Sequence, residues 1–356
     1  MFYVSDTEVT GSMVPEEVNV YLWRAGFHLF FPMRSQDHWR IVGILPADLR
    51  ERNGVQFDDV IPSLRGEAGA GLSIKACSWF STYRISHRAA SRFRDRRCFL
   101  LGDAAHIHSP VGAQGMNTGL QDAYNLGWKL AMVVNGEAGA ALLDSYEEER
   151  IPIARRLLET TDRAFKLVVS DNPLAGLLRT QIIARFAALL TGYEKFQRFA
   201  FRTVSQTGIH YRSSRLSQSL PGLPGGAPRA GDRFPWLKLK FDANGPIEDV
   251  FQKLDDTKLH LIVIGQAAPS ERLLDESNML RVHAVPADPG NDAELARAQI
   301  PRPSFYIVRP DGHIGLCGAS LEPSAIARYA SERLRLGIGI AANLSPRRRI
   351  RLPECG

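Results

Sequence analysis

The stretch Gly102-Asp103-Ala104-Ala105-His106-Ile107-His108-Ser109-Pro110-Val111-Gly112-Ala113-Gln114-Gly115-Met116-Asn117 gathers residue types able to hold a flat, hydroxyl-bearing ligand. Asp103 follows the apolar run Cys98-Phe99-Leu100-Leu101, and an acidic residue at such a strand end accepts hydrogen bonds from ligand hydroxyls. The glycines let backbone lie against a planar ring. Apolar residues then recur at three- and four-residue spacing, at Ala123, Leu126, Gly127, Leu130, Ala131 and Val134, which predicts a helix with one apolar face opening near Asn117. Its leading N–H groups and a partial positive charge of about half an elementary unit would face whatever sits before it. His106 and His108 read as structural histidines, and without a third ligand at suitable spacing no metal site is expected.

The elements that must carry this segment come next. Val18 to Trp23, Phe27 to Pro32 and Trp39 to Leu45 are short apolar or aromatic runs between turn-forming residues, which predicts three adjacent strands. Asp48 to Gly71 is more polar and predicts a short helix leading into a further strand over Leu72 to Ile85. Cys98 to Leu101 reads as a fully buried strand emerging at a functional edge. A second helical stretch is expected from Ala138 to about Val169, with Pro152 kinking it or ending its first part, and a third over 174–204. Of Phe30, Phe31, Trp39, Trp79 and Phe80 in the β-rich opening, most are expected in the core and some along a substrate pocket.

From Leu216 to Phe234 the chain is rich in Ser, Pro and Gly, which marks a linker or an extended wrapping segment. Leu259 to Ile264, Leu280 to Val285 and Phe305 to Val308 predict strands, Pro310-Asp311-Gly312 a hairpin turn into Ile314 to Cys317, and Pro323 to about Leu336 a closing helix. The expected organisation is a β-sheet portion over 1–90, the Gly-Asp segment with its helices over 91–215, a linker over 216–232, a second domain over 233–340 and a basic tail over 341–356.

At 356 residues and 44% hydrophobic content the chain can bury two or three cores. No window approaches the roughly 18 consecutive apolar residues of a membrane helix, and the start lacks a signal-peptide layout, so no membrane and a cytoplasmic location are expected. Cys77, Cys98, Cys317 and Cys355 form no Cys-x-x-Cys pair, against a zinc knuckle or a dithiol motif. The net charge of +6 is interleaved with acidic residues and concentrates only at Arg347-Arg348-Arg349 and Arg351. A solvated tail, and no nucleic acid, is the expectation.

The run from His87-Arg88-Ala89 through Arg96-Arg97-Cys98-Phe99-Leu100-Leu101-Gly102-Asp103-Ala104-Ala105-His106 to Asn125-Leu126-Gly127-Trp128-Lys129-Leu130-Ala131 resembles the second FAD-binding motif of single-component aromatic hydroxylases, the para-hydroxybenzoate and phenol hydroxylase group. Ser145-Tyr146-Glu147 to Arg150 and Pro152 resemble that group's following helix. The resemblance implies an α/β fold, α+β in parts: a partial FAD/NAD(P)-binding flavin-hydroxylase fold with a β-sheet substrate domain. Residues Gly231 to Leu336 resemble its thioredoxin-like carboxyl-terminal domain, especially through Pro303 to His313. With Cys317 alone in that unit, a structural or dimer-forming role is expected there in place of disulfide exchange.

The same resemblance implies FAD as cofactor, NAD(P)H as co-substrate, and O2 with a phenolic or polyketide-like aromatic molecule as substrates, the oxygen chemistry belonging to the flavin. Asp103 would bind ribityl or neighbouring hydroxyls. Pro110 and the loop Gly112 to Asn117, Gln114 included, would line the isoalloxazine ring, with Gly115, Met116 and Asn117 presenting backbone N–H groups to its pyrimidine edge. A reduced flavin, anionic there, would gain about 0.3 to 2 kcal/mol from the helix dipole. The group that activates the ring is left open.

Two parts of the family pattern do not occur here. No Gly-x-Gly-x-x-Gly turn follows a strand, Gly66-Glu67-Ala68-Gly69-Ala70-Gly71 having the wrong spacing, and the middle Asp-Gly motif is missing. The chain is therefore expected to be the rear two-thirds of a hydroxylase. Alone it should bind FAD weakly, without the usual phosphate donors, and should expose an apolar face that calls for an amino-terminal partner chain or a homodimer. The competing expectation is a non-catalytic remnant or interaction module that dimerises through the terminal domain.

Overall fold

The computed structural model describes residues 1–23, 26–67, 71–108, 114–169, 193–194, 201–203, 205–269 and 279–336. They divide into two compact units: Met1–Phe93, Cys98–Leu120 and Pro152–Thr207 form one, and Arg94–Arg97, Gln121–Ile151 and the chain from Gly208 onward form the other. No described helix is long and apolar enough to cross a membrane.

The first unit is built on an antiparallel sheet of β1 (Phe2–Thr10), β2 (Asn19–Trp23), β3 (Gly26–Pro32), β4 (His38–Ile44) and β5 (Ser73–Tyr83), in the order β2-β3-β4-β1-β5. The three strands expected between Val18 and Leu45 and the one from Leu72 are present. The central strand β1 was not anticipated. Its buried positions include Ser5 and Thr7 beside Tyr3 and Val9, so the apolar alternation that signals a half-buried strand is interrupted. Helix α1 (Phe57–Glu67) puts Phe57, Val60 and Leu64 into one core with Tyr3, Val9, Phe30, Trp39 and Ile41. Of the five aromatics singled out, Phe30 and Trp39 are core, Phe31 and Phe80 are half-buried and Trp79 is exposed.

Short strands follow at β6 (Arg88–Ala89), β7 (Arg94–Asp95), β8 (Cys98–Phe99) and β9 (His106–Ile107). Cys98–Leu101 departs from expectation. Only two of its residues are strand, Cys98, Leu100 and Leu101 are exposed, and Phe99 is half-buried. Apolar composition states a demand for cover, and among the described residues no larger sheet forms around this run to meet it.

Helix α2 (Gly115–Val134) opens two residues before the predicted start, and α3 (Asp144–Val169) runs through Pro152 without ending. The predicted third helix over 174–204 lies almost wholly outside the described residues, as does the basic tail.

The second unit holds a mixed sheet of β10 (Gln218–Ser219), β13 (Leu259–Ile264), β14 (Leu280–Val285), β15 (Ser304–Val308) and β16 (Ile314–Gly318), ordered β10-β16-β15-β13-β14, and a separate antiparallel pair of β11 (Lys238–Lys240) and β12 (Ile247–Asp249). β13 and β14 are parallel, β15 runs antiparallel to β13, and β16 antiparallel to β15. The Ser/Pro/Gly-rich stretch wraps: β10 lies parallel along β16 and Leu216 is buried. β13, β15 and β16 are buried throughout because both faces are covered. Leu261, Val263, Phe305, Ile307 and Leu316 pack with Trp128 and Met132 of α2 and with Tyr329. Ile262, Ile264, Tyr306, Val308 and Cys317 pack with Phe234, Leu237, Val250 and Leu295.

Candidate functional site

Within the first unit, β6 and β9 pair antiparallel, Ala89 opposite His106, and the Ala90 N–H donates to the Ala105 carbonyl at 2.8 Å. Leu101, in extended backbone, leads into the single turn Gly102–Ala104, which the Ala105 N–H closes on the Gly102 carbonyl at 2.9 Å. Gly102 has φ +57°, the left-handed region where a side chain is strained. A Cβ on Gly119 would stand 3.2 Å from the Gly102 Cα. The turn thus crosses the first turns of α2 backbone to backbone, an approach that the lack of a side chain at Gly119 eases. Asp103, at the middle of the turn, is exposed.

His106 is buried, its ring stacked 5.9 Å from Phe93 and 6.2 Å from His108. It is placed as a structural residue. A Cβ on Gly115 would come within 3.2 Å of the His108 ring, so the helix begins under that ring at a residue without a side chain. The first helical bond runs from the Thr118 N–H to the Gln114 carbonyl at 2.9 Å. The N–H groups at the start of the helix, from Gly115 and Met116 onward, lie ahead of that bond, and the first turn carries no acidic side chain to complement them. Met116 is 76% exposed. Of the predicted ligand residues, Asp103, Gln114, Gly115, Met116 and Asn117 lie on either side of the glycine crossing; Pro110 and Gly112 lie outside the described residues. An exposed carboxylate, bare backbone and an uncompensated helix start suit hydroxyls, a flat ring and an anionic edge, the three features of FAD that the segment was expected to meet.

The remainder of the motif behaves differently. The stripe of α2 that is buried in the second unit is Asp122, Asn125, Leu126, Trp128, Lys129 and Met132. Of the face predicted to be apolar and covered, Leu126 is buried and Leu130 half-buried, whereas Ala123, Gly127, Ala131 and Val134 are exposed. Glu149 receives the Lys129 Nζ at 2.8 Å, the Asn125 Nδ2 at 2.6 Å, the Ser214 hydroxyl at 2.7 Å and both terminal nitrogens of Arg309, at 2.7 and 3.0 Å. Asp311 accepts from Arg309 and from the Trp128 indole at 3.1 Å. Arg150 donates to Asp122 at 2.6 Å and to the Tyr211 hydroxyl at 2.7 Å.

Lys129, Arg150 and Arg309 thus balance Asp122, Glu149 and Asp311, with every one of these side chains at most 3% exposed. Burial pushes the Glu149 carboxyl up, but Arg309 and Lys129 outweigh it and hold it well below the carboxylate range. Burial lowers the Lys129 ammonium to about 8 against the pull of Glu149. This cluster escaped sequence reasoning because residues hydrogen-bonded within it stand up to 186 residues apart. The one local signal was polar residues at 122, 125 and 129, on one helical stripe.

Comparison with known proteins follows the same residues. Residues 3–161 match the FAD binding domain family. The 6-methylpretetramide 4-monooxygenase of Streptomyces rimosus is 30% identical over 313 residues, 83% of this chain and 54% of that protein. The pentachlorophenol 4-monooxygenase of Sphingobium chlorophenolicum is 36% identical over 66% of this chain and 38% of its own length. Among solved structures, OxyS anhydrotetracycline hydroxylase from Streptomyces rimosus superposes with a TM-score of 0.65 at 26% identity, covering 94% of this chain and 63% of the other. Aklavinone-11 hydroxylase, solved with FAD and aklavinone, shares the fold at a TM-score of 0.68 and 21% identity. The chain is thus similar, over residues that include a match to the FAD binding domain family, to proteins named as aromatic and polyketide monooxygenases. It spans about half the length of the curated relatives it matches, 54% and 52% of two of them.

Proposed function

We propose that this chain supplies the flavin-ring side of a monooxygenase that hydroxylates a phenolic or polyketide-type aromatic ring, using FAD, NAD(P)H and O2. The observation that carries the reading is the Gly102/Gly119 crossing, which leaves the exposed Asp103 carboxylate beside the uncompensated start of α2. FAD, when bound, supplies the redox and oxygen chemistry. Asp103 would hold its hydroxyls, the bare backbone would admit the flat ring, and the N–H groups of Gly115 to Asn117 would favour negative charge on the adjacent edge. The kinship with enzymes named for 6-methylpretetramide and pentachlorophenol supports a phenol-bearing substrate.

An amino-terminal partner is part of the proposal. Met116, Leu120, Tyr124 and Val134 are apolar or aromatic residues of α2 that are 53% to 81% exposed, surface that a partner chain would cover. The parallel β13/β14 pair followed by antiparallel β15 and β16 supports the thioredoxin-like reading of the terminal region. A cytoplasmic setting, where NAD(P)H is abundant, fits this chemistry.

The test is NADH and NADPH oxidation with excess FAD, a phenol panel and isotopically labelled O2, on the chain alone and with the amino-terminal half of a full-length relative added as a separate chain. Label in the aromatic product supports hydroxylation. Oxidation that yields only hydrogen peroxide, or none in either mixture, contradicts it.

A further inference from the structure

We infer that Gln206, which no part of the motif includes, is a positioning residue that aims the Gly115 N–H at the flavin; this rests on the flavin reading of the site. Gln206 is 6% exposed and holds φ +55°, so its backbone is strained and its side chain buried. Its carboxamide Nε2 donates to the Thr118 hydroxyl at 2.6 Å and to the Gln114 carbonyl at 3.3 Å. The Thr118 hydroxyl in turn donates to the same carbonyl at 2.8 Å.

The carboxamide has one workable orientation. The Gln114 carbonyl only accepts, and the Thr118 proton is already committed to it, so the nitrogen must face both and the oxygen must face away. The Gln206 Oε1 is accordingly buried with no partner. Leaving that acceptor unsatisfied is unfavourable, which points to a demand at the helix start that outweighs it.

Geometry supplies the demand. The peptide joining Gln114 to Gly115 is planar, so fixing the Gln114 carbonyl fixes the Gly115 N–H to point the opposite way within that plane. Gly115 has no side chain to restrict its own backbone, and its N–H is the first of the donors expected to meet the anionic ring edge. Gln206 and Thr118 thus clamp from behind a group that must point forward.

The experiment compares wild type, Gln206→Met, Gln206→Glu and Thr118→Val, each as the full chain. It reads the FAD dissociation constant by flavin fluorescence, amide exchange at Thr118 without FAD, and the melting temperature. Methionine keeps the shape and removes the donor; glutamate places a charge against the Gln114 carbonyl. The expected result is about tenfold weaker FAD binding and faster Thr118 exchange in Gln206→Met with an unchanged melting temperature, a larger effect on both readouts in Gln206→Glu and the same direction in Thr118→Val, these two with some loss of melting temperature. Unchanged Thr118 exchange overturns the clamp. Faster exchange with unchanged FAD affinity overturns its role toward the flavin. If wild type itself binds no FAD, the flavin reading fails and takes the positioning role with it, while the exchange data still distinguish that failure from a missing clamp.

Discussion

The front of the motif, Gly102 to Asn117, and its rear, Asp122 to Lys129 with Glu149 and Arg150, meet water in opposite ways. In front, the Asp103 carboxylate is exposed and the helix start carries no compensating acid. At the rear, three cationic and three anionic side chains are buried and paired among themselves. Only groups that folding leaves unconsumed can serve a ligand. The rear charges act as internal scaffold, binding α2 and α3 to the β15–β16 hairpin.

Breaking the rear should give the largest change. Glu149→Gln removes the negative charge that the buried Lys129 and Arg309 share, and urea unfolding should show a loss of about 3–5 kcal/mol. The double variant Glu149→Leu with Lys129→Met, which removes one charge of each sign, should recover part of that loss. A loss below about 1 kcal/mol in the single variant would mean the rear is as solvated as the front.

Acid should reach the rear next. Arg309 also holds the Asp311 carboxyl well below its ordinary value against burial that raises it, as with Glu149. Groups with depressed folded values stabilise fully above their unfolded values, 4.5 for Glu and 3.8 for Asp, and lose that contribution as pH falls below them. The urea midpoint should therefore drop steeply below about pH 4.5, and less steeply in Glu149→Gln.

Trp128→Phe removes one donor to Asp311 and keeps most of the packing; about 1–3 kcal/mol should be lost by the same measurement. At the front, Gly119→Ala sets a methyl 3.2 Å from the Gly102 Cα, which should cost about 1–3 kcal/mol and weaken FAD binding together. Asp103→Ala, with no buried partner to orphan, should change stability by no more than about 0.5 kcal/mol.

Elements whose core side chains form unbroken apolar runs were legible: β3, β4, β13 and β15 match their runs to within a residue or so. Strand β1 was not, since Ser5 and Thr7 occupy inward positions that pattern reading assigns to apolar residues. Pro152 reads as a kink or a stop, and α3 continues past it because Ile151, Ile153, Ala154 and Leu157 are buried on both sides of it. At the site, residue types and order along the chain disclosed the Gly-Asp turn and the helix start. The rear cluster stayed hidden because its charges are met by hydrogen bonds to Tyr211 and Ser214 and by ion pairs with Arg309 and Asp311, partners that no local spacing connects.

The most direct test is a titration of FAD into the full chain, followed by the visible flavin bands, in wild type and Asp103→Ala. The account predicts weak, saturable binding in wild type, at least tenfold weaker in Asp103→Ala, with the two proteins equally stable to urea. Identical titrations, or no perturbation of the flavin bands by folded wild type, would contradict it.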